Sequence, residues 1–161
     1  MTTPPRRSTE QVEHVQLRRL DHIAVAVRDS EKARRYFVDE LGLEVVHVDE
    51  LDEPPVTLTY VDAGNLYIQL VSPRGSCDIE NWLAEHGEGL HHICFAVDDV
   101  AEAVSALSKG EPAGELGSGR GRASGFVRNG APFGVLIECT EFRPGDGAAR
   151  SGLKGARNPV G

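Results

Sequence analysis

Apolar and polar residues alternate strictly in two runs of the chain, and the second run nearly repeats the first. LDHIAVAV at residues 20–27 returns 70 residues later as LHHICFAV at 90–97. Period-two alternation is the mark of a half-buried strand. It puts Ile23, Val25 and Val27 on one face and His22, Ala24 and Ala26 on the other. In the second copy Ile93, Phe95 and Val97 oppose His92, Cys94 and Ala96, with His91 expected across the strand from His92 in a supporting role. Each of His22 and His92 therefore stands among small side chains, which leaves open space on its face.

Acidic residues close both strands, and a helical period follows each. It predicts helices over 30–41 and 100–109, with Ser30 and Asp99 as N-caps and Gly42 and Gly110 as the glycines that end them. Ala33, Tyr36, Phe37 and Leu41 share one face of the first, and Val100, Ala103, Val104 and Leu107 one face of the second. Further strands are expected at 44–48, 56–61 and 66–72, separated by turn signals at Pro54-Pro55 and Gly64-Asn65, and at 113–116, 123–127 and 134–140. A short helix over 78–86, carrying Trp82 and Leu83, links the halves. Each half reads as βαβββ. The expected fold class is α+β, with modules at about 19–75 and 89–142 packed about a pseudo-twofold axis in one domain, 19–142. The flanks, 1–18 and 143–161, lack any apolar period and are expected to be disordered tails.

Composition narrows the function classes. The chain carries 17 Lys and Arg against 25 Asp and Glu, a net charge of −8, which argues against nucleic acid held by phosphate contacts. No apolar run approaches the roughly 20 residues of a membrane helix. The opening MTTPPRRSTEQ has no apolar signal core, so a cytoplasmic protein without a membrane partner is expected. Three cysteines, Cys77, Cys94 and Cys139, cannot all pair and none sits in a CxxC spacing, which fits a reducing compartment.

The last strand of each half adds chemistry. YIQL puts Gln69 opposite Ile68 and Leu70, and VLIEC puts Glu138 opposite Ile137 and Cys139. A carboxylate inside such an apolar run costs several kcal/mol unless it is paired or ligates something. His22, Gln69, His92 and Glu138 together form an N₂O₂ set suited to one divalent ion per chain, Co, Zn, Mn, Ni or Fe, in preference to a soft thiolate-seeking metal. Such an ion can act as a Lewis acid on a substrate carbonyl.

These residues resemble the vicinal-oxygen-chelate superfamily of glyoxalases, extradiol dioxygenases and methylmalonyl-CoA epimerases. LDHIAVAV, GLEVVHVDE, NWLAEHGEGLHHICFAVDD and GVLIE are most similar to the epimerase group, over residues 20–138. The resemblance implies two modules forming a curved mixed sheet around a metal-containing cleft. It implies ligands at His22, Gln69, His92 and Glu138, and inversion at a carbon alpha to an acyl-CoA thioester, with Glu138 as a base. It also implies a homodimer.

The chain departs from that pattern in three places. Residues 56–60 (VTLTY) offer no carboxylate where some epimerases carry a second glutamate, so Asp49, Glu50 or a bound water is the expected second proton carrier. FVRNGAPF at 126–133 replaces a segment resembling FLHPK. GELGSGRGRASG at 114–125 does not match a phosphate loop; it is expected to be a solvated mobile loop, the other reading placing Arg120 and Arg122 on CoA phosphates. Other functions stay open: a glyoxalase-type isomerase or lyase, an extradiol-type dioxygenase using His22, His92 and Glu138, and a non-catalytic small-molecule binder.

Overall fold

The computed structural model describes residues 14–145. The tails expected over 1–13 and 146–161 lie outside the described residues. Residues 14–18 run along the second module: Val15 packs against its core and the Arg18 amide donates to the Ala96 carbonyl at 2.8 Å.

Strand β1 (Arg19–Ala26) leads into helix α1 (Ser30–Arg35), which continues as a wider π-helical turn over Tyr36–Glu40. Strands β2 (Glu44–Asp52), β3 (Pro55–Asp62) and β4 (Tyr67–Pro73) complete the first module. Helix α2 (Asp78–His86) links it to β5 (Gly89–Val97), α3 (Val100–Leu107), β6 (Gly117–Gly119), β7 (Arg122–Phe126) and β8 (Leu136–Glu141). The eight strands form one curved, nearly closed sheet in the order β2-β3-β4-β1-β5-β8-β7-β6. β1 and β5 pair antiparallel at its centre, while β4 and β8 flank them in parallel. That arrangement is the pseudo-twofold the sequence repeat predicts.

Helices α1 and α3 cover the outer face. Val100, Ala103 and Val104 of α3 are buried against Val97, Val127 and Cys139. Ala33 and Phe37 pack beside Val27, Val61 and Leu70 in the first module. Each fully buried valine of this kind contributes about 1.5–3 kcal/mol. The expected face of the first helix is only partly kept, because Tyr36 and Leu41 are exposed. The extra residue in the π-helical turn rotates the face that follows it. The cap also shifts by one residue: the Asp29 carboxylate, not Ser30, accepts the Lys32 amide, just as Asp99 accepts that of Glu102.

The largest departure lies in 113–125. No strand forms over 113–116, and the glycine-rich run is not a solvated loop but a β6–β7 hairpin. Gly119 pairs with Arg122, and the two turn residues, Arg120 (φ 53°) and Gly121 (φ 67°), are both left-handed. Two left-handed residues suit the type I′ turn of a two-residue hairpin, usually built on Asn-Gly. The tip reaches back to the first module, where the Arg120 amide donates to Asp49 Oδ2 at 2.7 Å. At Gly119 even a Cβ would stand 2.6 Å from the Tyr60 hydroxyl, so only glycine permits the approach. This contact brings the two ends of the sheet together.

Candidate metal centre and substrate cleft

The strand registers place the four polar residues on two adjoining rungs. Gln69 of β4 lies beside Ala24 of β1, which lies beside His92 of β5. On the next rung Glu138 of β8 lies beside Cys94 of β5, which lies beside His22 of β1. Opposed residues stand about 4.5–5.5 Å apart at Cβ, so a large side chain at Ala24 or Cys94 would fill the space the imidazoles use. Both small residues are fully buried.

Three of the four converge at their tips. His92 Nε2 lies 3.0 Å and His22 Nε2 3.3 Å from Glu138 Oε2, and the two Nε2 atoms are 3.3 Å apart. All three residues are buried, and Glu138 Oε2 has no hydrogen bond of acceptable geometry. A buried carboxylate oxygen without a donor is costly, and a cation removes that cost. Atoms held about 2.0–2.1 Å from a common ion stand roughly 3.0–3.4 Å apart, the spacing found here. The donor set and its orphaned oxygen fit a divalent metal. Gln69 lines the same cleft but turns its amide nitrogen to the Tyr60 hydroxyl at 2.7 Å. Its carbonyl is the atom that could join the other three.

Two residues that alternation misplaces or overlooks support this centre. β1 and β5 slip register at Leu20/His22 and again at Ala24/Val25, so Asp21 and His91 are each an additional residue opposite none. A bulge re-aims the side chain it carries. His91 is thus not across the strand from His92: it lines the cleft, with its Nδ1 2.8 Å from His92 Nδ1. Asp21 sits at the equivalent place in the first module, its Oδ2 2.7 Å from His22 Nδ1. The repeat itself carried this signal, since Asp21 and His91 occupy matching positions immediately before the two histidines.

Charge is balanced inside the centre. Burial would raise the Glu138 carboxyl, but the His92 and His22 rings outweigh it and hold it well below the usual range. Burial would likewise lower His22, yet the Asp21 and Glu138 carboxylates beside it raise it. Asp21 is drawn down to about 2 by His22 and Arg120 against the opposing effect of burial. His91, desolvated and beside His92, is lowered to about 4 and so is neutral near pH 7.

The cleft above these residues has a volume of about 490 Å³. Leu58, Val71, Ile79, Phe126 and Leu136 supply apolar wall, and Ser118, Ser124 and Gln69 supply polar groups. A few placed polar groups in an apolar concavity is the usual composition of a small-molecule site. Neither Asp49 nor Glu50 lines it; Asp49 is occupied by the Arg120 amide and by His47 Nε2, and Glu50 is exposed. Cys77, Cys94 and Cys139 are all free thiols, and among the described residues no helix is long and apolar enough to cross a membrane.

Known proteins share both the sequence pattern and the architecture. A mouse mitochondrial methylmalonyl-CoA epimerase is 38% identical over 110 residues, covering 67% of this chain and 62% of its own length. The chain therefore spans less than two thirds of that relative. The crystal structure of methylmalonyl-CoA epimerase from Mycobacterium tuberculosis superposes with a TM-score of 0.71 at 26% identity, over 84% of this chain and 95% of the other. A Streptomyces coelicolor methylmalonyl-CoA epimerase variant in complex with 2-nitronate-propionyl-CoA gives 0.69 at 32% identity, over 78% and 98%. The pattern of the glyoxalase/bleomycin resistance protein/dioxygenase superfamily matches residues 21–118, more than half of the chain. With the paired modules and curved sheet described above, that match means that the chain belongs to this superfamily.

Proposed function

We propose that the chain is a metal-dependent epimerase of methylmalonyl-CoA or a closely related acyl-CoA. The observation that carries this reading is the buried triangle of His22 Nε2, His92 Nε2 and Glu138 Oε2, of which His92 and Glu138 line an apolar cleft. The epimerase names of its relatives supply the substrate class. In this reading His22, His92, Glu138 and the Gln69 carbonyl hold one divalent ion. When bound, that ion supplies Lewis-acid stabilisation of the negative charge that develops on a thioester oxygen as the alpha proton leaves.

The chain's own groups do the rest. Glu138 is held ionised by its histidine neighbours, and a ligand carboxylate that loosens can accept the alpha proton on one face of the substrate carbon. The apolar wall of Leu58, Val71 and Phe126 excludes water from the forming carbanion and seats a short acyl branch. His91 and Asp21 fix the orientation of the two imidazoles by occupying their Nδ1 positions. Return of the proton on the opposite face falls to neither Asp49 nor Glu50, which do not line the cleft; the carboxylates that line it besides Glu138 are Glu53 and Asp78. The reading includes a reducing cytoplasmic setting, favoured by three free thiols, and a homodimer, favoured by exposed Val46 and Val48 on edge strand β2.

Incubation with methylmalonyl-CoA in D₂O tests the function. Deuterium is expected at the alpha carbon when Co(II) is present, with exchange removed by a chelator and restored by added metal. Absence of exchange with every malonyl-type thioester would eliminate the epimerase reading.

A further inference from the structure

Arg120 is the least expected residue near the centre. It stands at the tip of the β6–β7 hairpin in a left-handed conformation that a non-glycine residue rarely adopts. Its guanidinium crosses to the first module and lies over two rings, 4.9 Å from the centroid of Tyr60 and 4.7 Å from that of Tyr67. There Nη2 bonds Asp21 Oδ2, the oxygen that also meets His22 Nδ1. Arg120 is itself largely buried, at 12% side-chain exposure, and Asp21 is almost completely so at 1%. The other cation beside Asp21, Arg19, keeps its Nη2 3.8 Å from Oδ1, beyond hydrogen-bond distance.

We propose that Arg120 is a positioning residue for His22, acting through Asp21 from the opposite module. The inference rests on the metal-site reading above. An imidazole that ligates through Nε2 needs its Nδ1–H held by an acceptor, which fixes both the tautomer and the plane of the ring. Asp21 provides that acceptor. A lone carboxylate on a strand bulge can rotate away from the ring. Arg120 prevents this by bonding the shared oxygen, and the two tyrosine faces confine the guanidinium to one position. The left-handed turn, the glycine at 119 and the two rings beneath the guanidinium all serve one contact between residues 99 positions apart. In the second module the position of Asp21 is taken by an imidazole, His91, so no carboxylate there has to be held.

Supporting groups of this kind alter metal affinity by roughly 10–100-fold. Co(II) binding by the full chain is measured by calorimetry and by the visible d–d spectrum for wild type, Arg120→Gln, Asp21→Asn and the double variant. Arg120→Gln is expected to weaken Co(II) about 10-fold and to change the d–d spectrum. The double variant is expected to be no weaker than Asp21→Asn alone, because both changes break one relay. A purely structural arginine would lower the melting temperature and leave affinity and spectrum of the folded protein unchanged. Unchanged affinity in Arg120→Gln, or losses that add in the double variant, would overturn the inference. Wild-type protein that binds no Co(II) would overturn the metal-site reading itself, and this inference with it.

Discussion

His92→Ala is expected to remove the divalent metal and, with it, all detectable alpha-proton exchange. His92 is the residue on which the centre turns: its Nε2 is 3.0 Å from Glu138 and 3.3 Å from His22, while its Nδ1 meets His91. Deletion opens a void beside Ala24 and leaves Glu138 facing a single imidazole. The affinity loss should exceed the roughly 10–100-fold typical of a supporting residue, since a direct donor is lost. The fold should survive, because the strand pairing of β5 is made by backbone and the outer core at Val97, Val100 and Val104 is untouched. Calorimetry with Co(II) and NMR in D₂O read the two losses separately. Retained exchange in a variant shown to be metal-free would refute the role assigned to the centre.

Glu138→Gln should separate holding the ion from moving the proton. The amide keeps the shape of the side chain and one oxygen donor, so metal binding is expected to weaken and yet remain measurable. Proton transfer is expected to fall by about 10²–10⁴-fold, the range by which a positioned base accelerates such steps. The drop should appear in kcat under saturating metal and substrate, with a smaller change in KM, since an interaction used only in the transition state is removed. A variant turning over near the wild-type rate would show that Glu138 is not the base.

The repeat at residues 20–27 and 90–97 made much of this protein readable before any coordinates. A strand pair related by 70 residues, each copy followed by a capped helix, leaves few topologies other than two fused modules. Period-two alternation also put His22 and His92 on one side, where their Nε2 atoms meet Glu138, because both lie where the strand is regular. It failed for His91 and passed over Asp21, because a bulge inserts one residue and reverses the facing of what it carries. The hairpin over 117–126 was illegible for a different reason. Arg120-Gly121 is a weak turn signal beside Asn-Gly, and the contacts that stabilise it, with Asp21, Asp49, Tyr60 and Tyr67, all come from the other module. Local pattern cannot report a conformation selected by distant partners. The same limit hid the π-helical turn at Tyr36–Glu40, whose length matched the expected helix while its winding did not.

Crystals grown with Co(II) and recorded at the cobalt absorption edge test the central claim most directly. The account predicts one anomalous peak per chain, bonded to His22 Nε2, His92 Nε2 and Glu138 Oε2, with the Gln69 carbonyl as the fourth protein donor. A peak elsewhere in the molecule, or none at this cluster under saturating cobalt, would contradict it.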